Sequence, residues 1–216
     1  MSEFTDLLDK VGHHTPGPIG FAPTSGNSST ASQIILLARV TSSNTKLVSN
    51  GADADAVLVK LEWGSADQVS ETLRGQIWGV EVTEINSLQV KQLKDKGCDF
   101  IAFKSTSTEA STLNEESIGT MIILDSKSEE EVIRTRCELP VDSVFLNATN
   151  QKSPLSVENL IPIQRIRGLT DKPLVIESPE DLDQGDLELL RNIGVTGLVV
   201  NATTKKNIRS VKKLIR

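Results

Sequence analysis

Eight polar residues recur at almost constant intervals along this 216-residue chain, and each follows a run of four mostly apolar residues. Their types allow two kinds of chemistry: a lysine amine beside a carboxylate can attack a carbonyl group, and clustered carboxylates can hold a divalent cation. The spacing matters because polar groups at the ends of buried strands gather in one place. These strand-end residues are Arg39, Lys60, Glu81, Lys104, Asp125, Asn147, Glu177 and Asn201.

The first hypothesis is Schiff-base chemistry at Lys104. A lysine desolvated by an apolar layer that includes Phe103, and crowded by a second cation, can lose its proton and attack a carbonyl carbon. Glu81 and Asp125 would then move protons, and Lys60 is the second choice of nucleophile. The remaining strand-end residues are assigned to substrate binding: Arg39, Asn147, Glu177 and Asn201. This hypothesis predicts a lyase or isomerase that acts on a small molecule without a cofactor.

A magnesium site is the second hypothesis. Three carboxylates follow alternate apolar runs, namely Glu81, Asp125 and Glu177. Side chains in one layer of a barrel come from alternate strands, so these three are expected to lie at one level. Asn147 or Asn201 would complete the shell of oxygen ligands that Mg²⁺ prefers. The sequence therefore also allows a magnesium-dependent lyase or isomerase.

The same residues allow a non-catalytic protein. Charges at the end of an apolar core must be paired or solvated, and their alternating signs would achieve this without any ligand. Neighbouring strands lie about 4.8 Å apart, so Lys60 can pair with Glu81, and Lys104 with Asp125. In this interpretation the protein binds or scaffolds other molecules, and its outer surface supports homo-oligomerisation.

The apolar run before each strand-end residue predicts a buried parallel strand. Between these runs, apolar residues recur at helical spacing, as at Ile85, Leu88 and Leu93, and glycines such as Gly97 mark helix ends. The least regular connection is residues 107–118. Eight strand–helix units predict a single-domain α/β fold, a closed (β/α)8 barrel over residues 33–216, with an open doubly wound sheet as the competing topology.

Side-chain parity within the strands favours closure into a barrel. Counting back by two and four from each strand-end residue gives a face that mixes sizes, as at Gly79 and Phe145. The opposite face is almost uniformly bulky, as at Trp78 and Leu146. Mixed sizes suit the layered interior of a narrow barrel. Because the strand-end residues share the interior parity, they are expected to point into the mouth of the barrel.

In this strand order, Glu81 ends strand 3 and Lys104 ends strand 4. The arrangement resembles class I aldolases, and transaldolases in particular. The resemblance covers these two positions and implies a Schiff-base lyase with a lysine nucleophile. It departs from that family at Arg39, which stands on strand 1 where the family carries an aspartate.

Two further segments are expected to flank the site. Residues 1–32 combine a short amphipathic helix, at residues 3–11, with a Pro-, Gly- and Ser-rich arm. The arm either covers one end of the barrel through Ile19 and Phe21 or is a flexible linker.

Most loops after the strands are short, which indicates a small ligand. The longer loop after strand 6 offers Asn150, Gln151 and Lys152 as contacts. Lys205 and Lys206, ahead of the last helix, either bind phosphate or form a solvated surface pair.

Composition excludes several functions. A net charge of -6 and the absence of Tyr argue against nucleic-acid binding. No stretch approaches the roughly 18 apolar residues of a membrane span, so a cytoplasmic protein without membrane contact is expected. Cys98 and Cys137 lie in core settings, and the only histidines are His13 and His14 in the arm. The sequence therefore argues against a Cys/His nucleophile and against a His-based zinc site.

Overall fold

The computed structural model describes residues 2–12, 34–41, 48, 51–147, 151–202 and 205–216. Eight parallel strands follow one another in chain order and close into a barrel, with the last strand paired to the first. The strands are β1 Ile35–Thr41, β2 Ala56–Lys60, β3 Trp78–Val82, β4 Phe100–Phe103, β5 Gly119–Asp125, β6 Ser143–Asn147, β7 Leu174–Glu177 and β8 Val195–Asn201. The predicted (β/α)8 barrel is confirmed, and the open sheet is excluded.

Helices connect the strands on the outside of the barrel. Within the described ranges the α-helices are α1 Glu3–Gly12, α2 Ala66–Thr72, α3 Ser87–Asp95, α4 Glu130–Glu138, α5 Val157–Arg167, α6 Gln184–Ile193 and α7 Lys205–Ile215. The connection from β4 to β5, predicted as the least regular, contains the 3-10 helix Ala110–Asn114 and no described α-helix. The predicted arm, with His13, His14, Ile19 and Phe21, lies outside the described residues. No helix of the described chain is both long and apolar enough to cross a membrane.

The start of α3 differs from the predicted helical face. Asn86 caps this helix: its side chain accepts a hydrogen bond from the Gln89 backbone N–H at 2.9 Å, and the Gln89 side chain accepts one from Asn86 N. Ile85 therefore precedes the helix and forms an isolated bridge with Thr108. Leu88, predicted on the buried face, is exposed, because the helix begins after Ile85 and turns Val90 toward the core.

The barrel interior consists of stacked layers that mix large and small residues. Because the strands tilt, the residue at a given height lies one position beyond the register partner on each successive strand. Each layer therefore takes side chains from alternate strands. Following the strand register around the barrel gives three layers that are apolar except for Ser143. From the mouth downward they are Leu58, Ala102, Phe145 and Val199; Leu37, Gly79, Met121 and Val175; and Ala56, Phe100, Ser143 and Gly197.

Glycine is needed at position 79 because of a neighbouring ring. A Cβ atom there would lie 2.5 Å from carbons of the Phe100 ring and 2.3 Å from its carbonyl oxygen. The opposite strand face packs against the helices and contains Trp78 and Leu146, as parity predicted. Cys98 and Cys137 are buried in the same outer core, which confirms their structural settings.

The end of the barrel away from the strand-end residues is closed by α1. The Phe4 ring stacks on Phe100 with centroids 3.9 Å apart, and Leu8 is fully buried beside it. The backbone N–H groups of Glu3 and Phe4 donate to the Asp99 carboxylate at 3.0 and 2.7 Å, which satisfies two free donors of the helix start. Among the described residues α1 closes this end of the barrel, and the strand-end residues lie at the other end.

Candidate functional site

The strand-end residues occupy two main levels of the mouth. The strand register puts Arg39, Glu81 and Glu177 in one layer with Ile123, directly above the apolar layer that contains Phe145. The residues of the even-numbered strands form the next level: Lys60, Lys104, Asn147 and Asn201. Asp125 lies two residues beyond Ile123 on β5 and is therefore higher still. Burial follows this order, since the lower polar residues are largely buried and most of the upper ones are exposed.

Arg39 pairs with two carboxylates in the lower level. Its Nη2 donates to Glu81 Oε1 at 2.5 Å, and its Nη1 lies 3.7 Å from Glu177 Oε1. The guanidinium carbon is 6.0 Å from the centre of the Phe145 ring, so this side chain reaches over the apolar core. Asn201 Nδ2 donates to Glu177 Oε1 at 3.3 Å. We call these four polar residues, Arg39, Glu81, Glu177 and Asn201, the Arg39 cluster.

The cluster resembles the predicted salt-bridged mouth but uses other pairs. The predicted partner of Glu81 was Lys60, which is exposed and forms no ion pair with a described residue. Lys104 and Asp125 are also exposed, and neither forms an ion pair with a described residue. Arg39 takes Glu81 because the two residues share a level, whereas Lys60 lies one level higher. The second oxygens of Glu81 and Glu177 are buried and have no hydrogen-bond partner among the described residues.

A cavity of about 780 Å³ opens beside this cluster, over the ends of β4, β5 and β6. Lys104, Asp125 and Asn147 line it, and Ile123 contributes an apolar surface from the lower level. We call it the β5 cavity. Its size lies within the range of about 300–1,000 Å³ that is usual for small-molecule sites. The structure thus brings together Lys104 and Asp125, the predicted nucleophile and one of its predicted proton-transfer partners.

The loop after β5 forms one wall of the cavity and is held at both ends. Asp125 Oδ1 accepts from the Lys127 backbone N–H at 2.9 Å, and the Asp125 carbonyl accepts from Ser128 N at 3.1 Å. Arg165 of α5 donates to the Ser128 carbonyl at 3.1 Å. One oxygen of Asp125 is thereby used to shape the loop, and the other accepts no hydrogen bond from a described residue.

The loop after β6 contributes Gln151, as the sequence indicated. Gln151 lines the β5 cavity and is nine-tenths buried. Its neighbour Lys152 is exposed, and Lys152 Nζ lies 3.5 Å from Glu180 Oε2. Lys152 therefore pairs with Glu180 and does not line the cavity. Asn150 lies outside the described residues, as do the side chains of Lys205 and Lys206.

Two charged residues of the cavity, Lys127 and Arg136, were not among the sequence-predicted site residues. Lys127 follows Asp125 by two positions and shares its strand parity, which is a signal that could have identified it. Arg136 lies in the last turn of α4 and also lines the cavity. Nothing in its local sequence indicates this, because its place depends on how α4 packs against the barrel.

The magnesium hypothesis required three carboxylates at one level. Asp125 is not at the level of Glu81 and Glu177, since Ile123 occupies that position on β5. Arg39 already contacts both of the other carboxylates. Among the described residues, no three His, Cys, Asp or Glu side chains are grouped so that they could hold a metal ion. The predicted oxygen ligands are therefore not assembled into one set.

Comparison with known proteins identifies the fold. No protein-family model matches the chain, and no curated protein matches its sequence. Solved structures of the tryptophan synthase alpha-subunit from Pyrococcus furiosus are similar, including a mutant subunit with 12% identity and a TM-score of 0.63. The subunit from a structure of the α2β2 complex gives 11% identity and a TM-score of 0.63. Both matches cover 85% of this chain and 96% of the other. At this identity the likeness concerns the TIM-barrel fold alone.

Proposed function

We propose that the β5 cavity is the active site of a small-molecule lyase or isomerase in which Lys104 forms a Schiff base with a carbonyl substrate. The observation that supports this most is that Lys104 and Asp125 line one cavity at the carboxyl ends of the strands, while Lys104 has no ion-pair partner among the described residues. Catalytic groups of such barrels come from these strand ends. A lysine locked in a salt bridge could not reach a carbonyl carbon.

The proposed reaction uses three groups of the cavity. Lys104 Nζ attacks the carbonyl carbon, and water leaves as the carbon–nitrogen double bond forms. The protonated imine then draws electrons from a neighbouring C–C or C–H bond, while Asp125 accepts the released proton and later returns it. Water hydrolyses the imine and restores the amine. Asn147 ends β6, the strand that pairs with β5 at Asp125, and holds the substrate in place.

Glu81 has a positioning role in this proposal. It was predicted to move protons together with Asp125, but its Oε1 accepts a hydrogen bond from Arg39 at 2.5 Å. Glu81 and Glu177 instead hold the Arg39 guanidinium below the level of Lys104. Asp125 is the carboxylate that shares the cavity with Lys104. For this reason we assign proton transfer to Asp125.

Borohydride trapping tests the proposal. The protein is incubated with a panel of small aldehydes, ketones and keto acids, reduced, digested and mapped by mass spectrometry. Trapped adducts are expected at Lys104 in the unaltered protein and in K60M, and none at this position in K104M. K60M is the matched control because Lys60 lies at the same level but does not line the cavity. Absence of any adduct, or adducts at Lys60 alone, would overturn the assignment to Lys104.

A non-catalytic binding or scaffold protein is the second candidate. The Arg39 cluster favours it, because these buried charges are paired with one another without a ligand. This candidate predicts saturable ligand binding with no trapped adduct for any carbonyl compound. Self-association through the outer helices belongs to the same candidate, and light scattering coupled to size-exclusion chromatography measures it.

A further inference from the structure

The charged side chains around the β5 cavity are mostly cationic. Of the described residues that line it, Lys104, Lys127 and Arg136 are cationic and Asp125 alone is a carboxylate. None of the three cations forms an ion pair with any described residue. Arg136 is half-buried and Lys127 is exposed. Converging unpaired cations raise the local concentration of anions, and guanidinium groups bind carboxylate or phosphate oxygens with two parallel hydrogen bonds.

Two buried oxygens of residues that line the same cavity lack hydrogen-bond donors among the described residues. Asn147 Oδ1 and Gln151 Oε1 are both buried and have no hydrogen-bond partner in the described part of the chain, and both residues line the cavity. Gln151 Nε2 donates to the Asn159 carbonyl at 3.3 Å, so the oxygen of this amide is the end without a partner. A buried acceptor without a donor costs about 1–3 kcal/mol. Hydroxyl groups of a ligand would supply the missing donors.

We propose that the β5 cavity contains an anion subsite formed by Lys127 and Arg136, and that its ligand is a small hydroxylated anion. The carboxylate or phosphate group lies against these two cations, and hydroxyl groups donate to Asn147 and Gln151. The further step, in which a carbonyl group of the same ligand meets Lys104, rests on the proposed function. The anion and hydroxyl contacts are independent of it.

Isothermal titration of the full chain with matched small probes tests the subsite. Glycerol 3-phosphate and glycerate carry hydroxyls with a phosphate or a carboxylate, glycerol carries hydroxyls alone, and propyl phosphate carries the anion alone. We expect saturable binding of at least one hydroxylated anion and none of glycerol. The preferred anion identifies the group that the subsite accepts. Propyl phosphate is expected to bind several-fold more weakly than glycerol 3-phosphate if phosphate is that group.

Variants separate the cavity from the rest of the surface. K127M is expected to weaken binding of the hydroxylated anion about tenfold, and R136M by at least as much. K213M, which removes an exposed lysine of α7, is the control and is expected to leave the affinity unchanged. Because Lys127 is exposed, K127M keeps the test valid even where R136M fails to fold.

Two results would overturn the anion subsite: no saturable binding of either hydroxylated anion, or equal affinities in K127M and the unaltered protein. The trapping experiment is read separately. Anion binding that depends on Lys127, without any trapped adduct, supports the subsite and removes the Schiff-base mechanism. A Lys104 adduct formed equally well from neutral and anionic carbonyl compounds, together with either of these two results, supports the Schiff-base mechanism and removes the anion subsite.

Discussion

Arg39 links the upper end of the apolar core to the mouth. Its guanidinium lies above the Phe145 ring and contacts Glu81 and Glu177, and all three charged side chains are less than one-fifth exposed. Desolvating these charges costs free energy, which the ion pairs and hydrogen bonds must offset. Both carboxylates contact the same guanidinium, so removing Arg39 removes the ion-pair partner of Glu81 and of Glu177.

Replacing Arg39 is therefore expected to destabilise the fold. R39M leaves two buried carboxylates without their cation, and removing one partner of a buried ion pair typically costs about 3 kcal/mol or more. K60M is the matched control, since Lys60 is exposed and unpaired among the described residues, and its expected cost is below about 0.5 kcal/mol. The midpoint of urea unfolding measures both. Similar midpoints for R39M and the unaltered protein would contradict the central role of this pairing.

Strand register explains what the sequence could and could not reveal about the site. The period of two along each strand correctly assigned interior and exterior faces, because parity is a property of a single strand. Height along the barrel axis depends on the tilt of all eight strands, which no single run of residues encodes. The eight polar residues therefore appeared as one set in the sequence. In the structure Arg39 lies with Ile123, and Asp125 lies above them.

The middle apolar layer offers a test of this register at position 79. G79A places a methyl group 2.5 Å from the Phe100 ring and 2.3 Å from its carbonyl oxygen, so β3 or β4 must shift. Overpacking of this kind typically destabilises a protein by about 1–3 kcal/mol. G168A is the control, since Gly168 has helical φ and ψ angles and its added Cβ would have only ordinary contacts, at 3.5 and 3.6 Å. Equal urea midpoints for the two variants would mean that the close register of Gly79 with Phe100 is wrong.

At the scale of the whole molecule, the two ends of the barrel are treated differently. Helix α1 closes one end with Phe4 and Leu8, while the other end carries a paired cluster on one side and the β5 cavity on the other. Patterning of apolar and polar residues was enough to predict the closed barrel. Structures only 11–12% identical share this fold, which agrees with patterning as its main determinant. The contribution of Arg136 to the cavity could not be predicted, because Arg136 reaches it only through helix packing.

Burial of a thiol makes the stability of the whole barrel depend on pH. Desolvation raises the pKa of Cys98 above its ordinary value of 9.0, so above that pH the unfolded chain releases a proton that the folded chain keeps. The free energy of unfolding then falls by about 1.4 kcal/mol per pH unit from this group. Desolvation lowers the pKa of Lys172, which changes the free energy of unfolding with pH in the opposite direction. This contribution is the same in the unaltered protein and in C98A, so it cancels when the two are compared. Urea unfolding under reducing conditions between about pH 8 and pH 11 should therefore show the free energy of unfolding declining less steeply with pH for C98A than for the unaltered protein. Parallel declines would contradict the role assigned to Cys98.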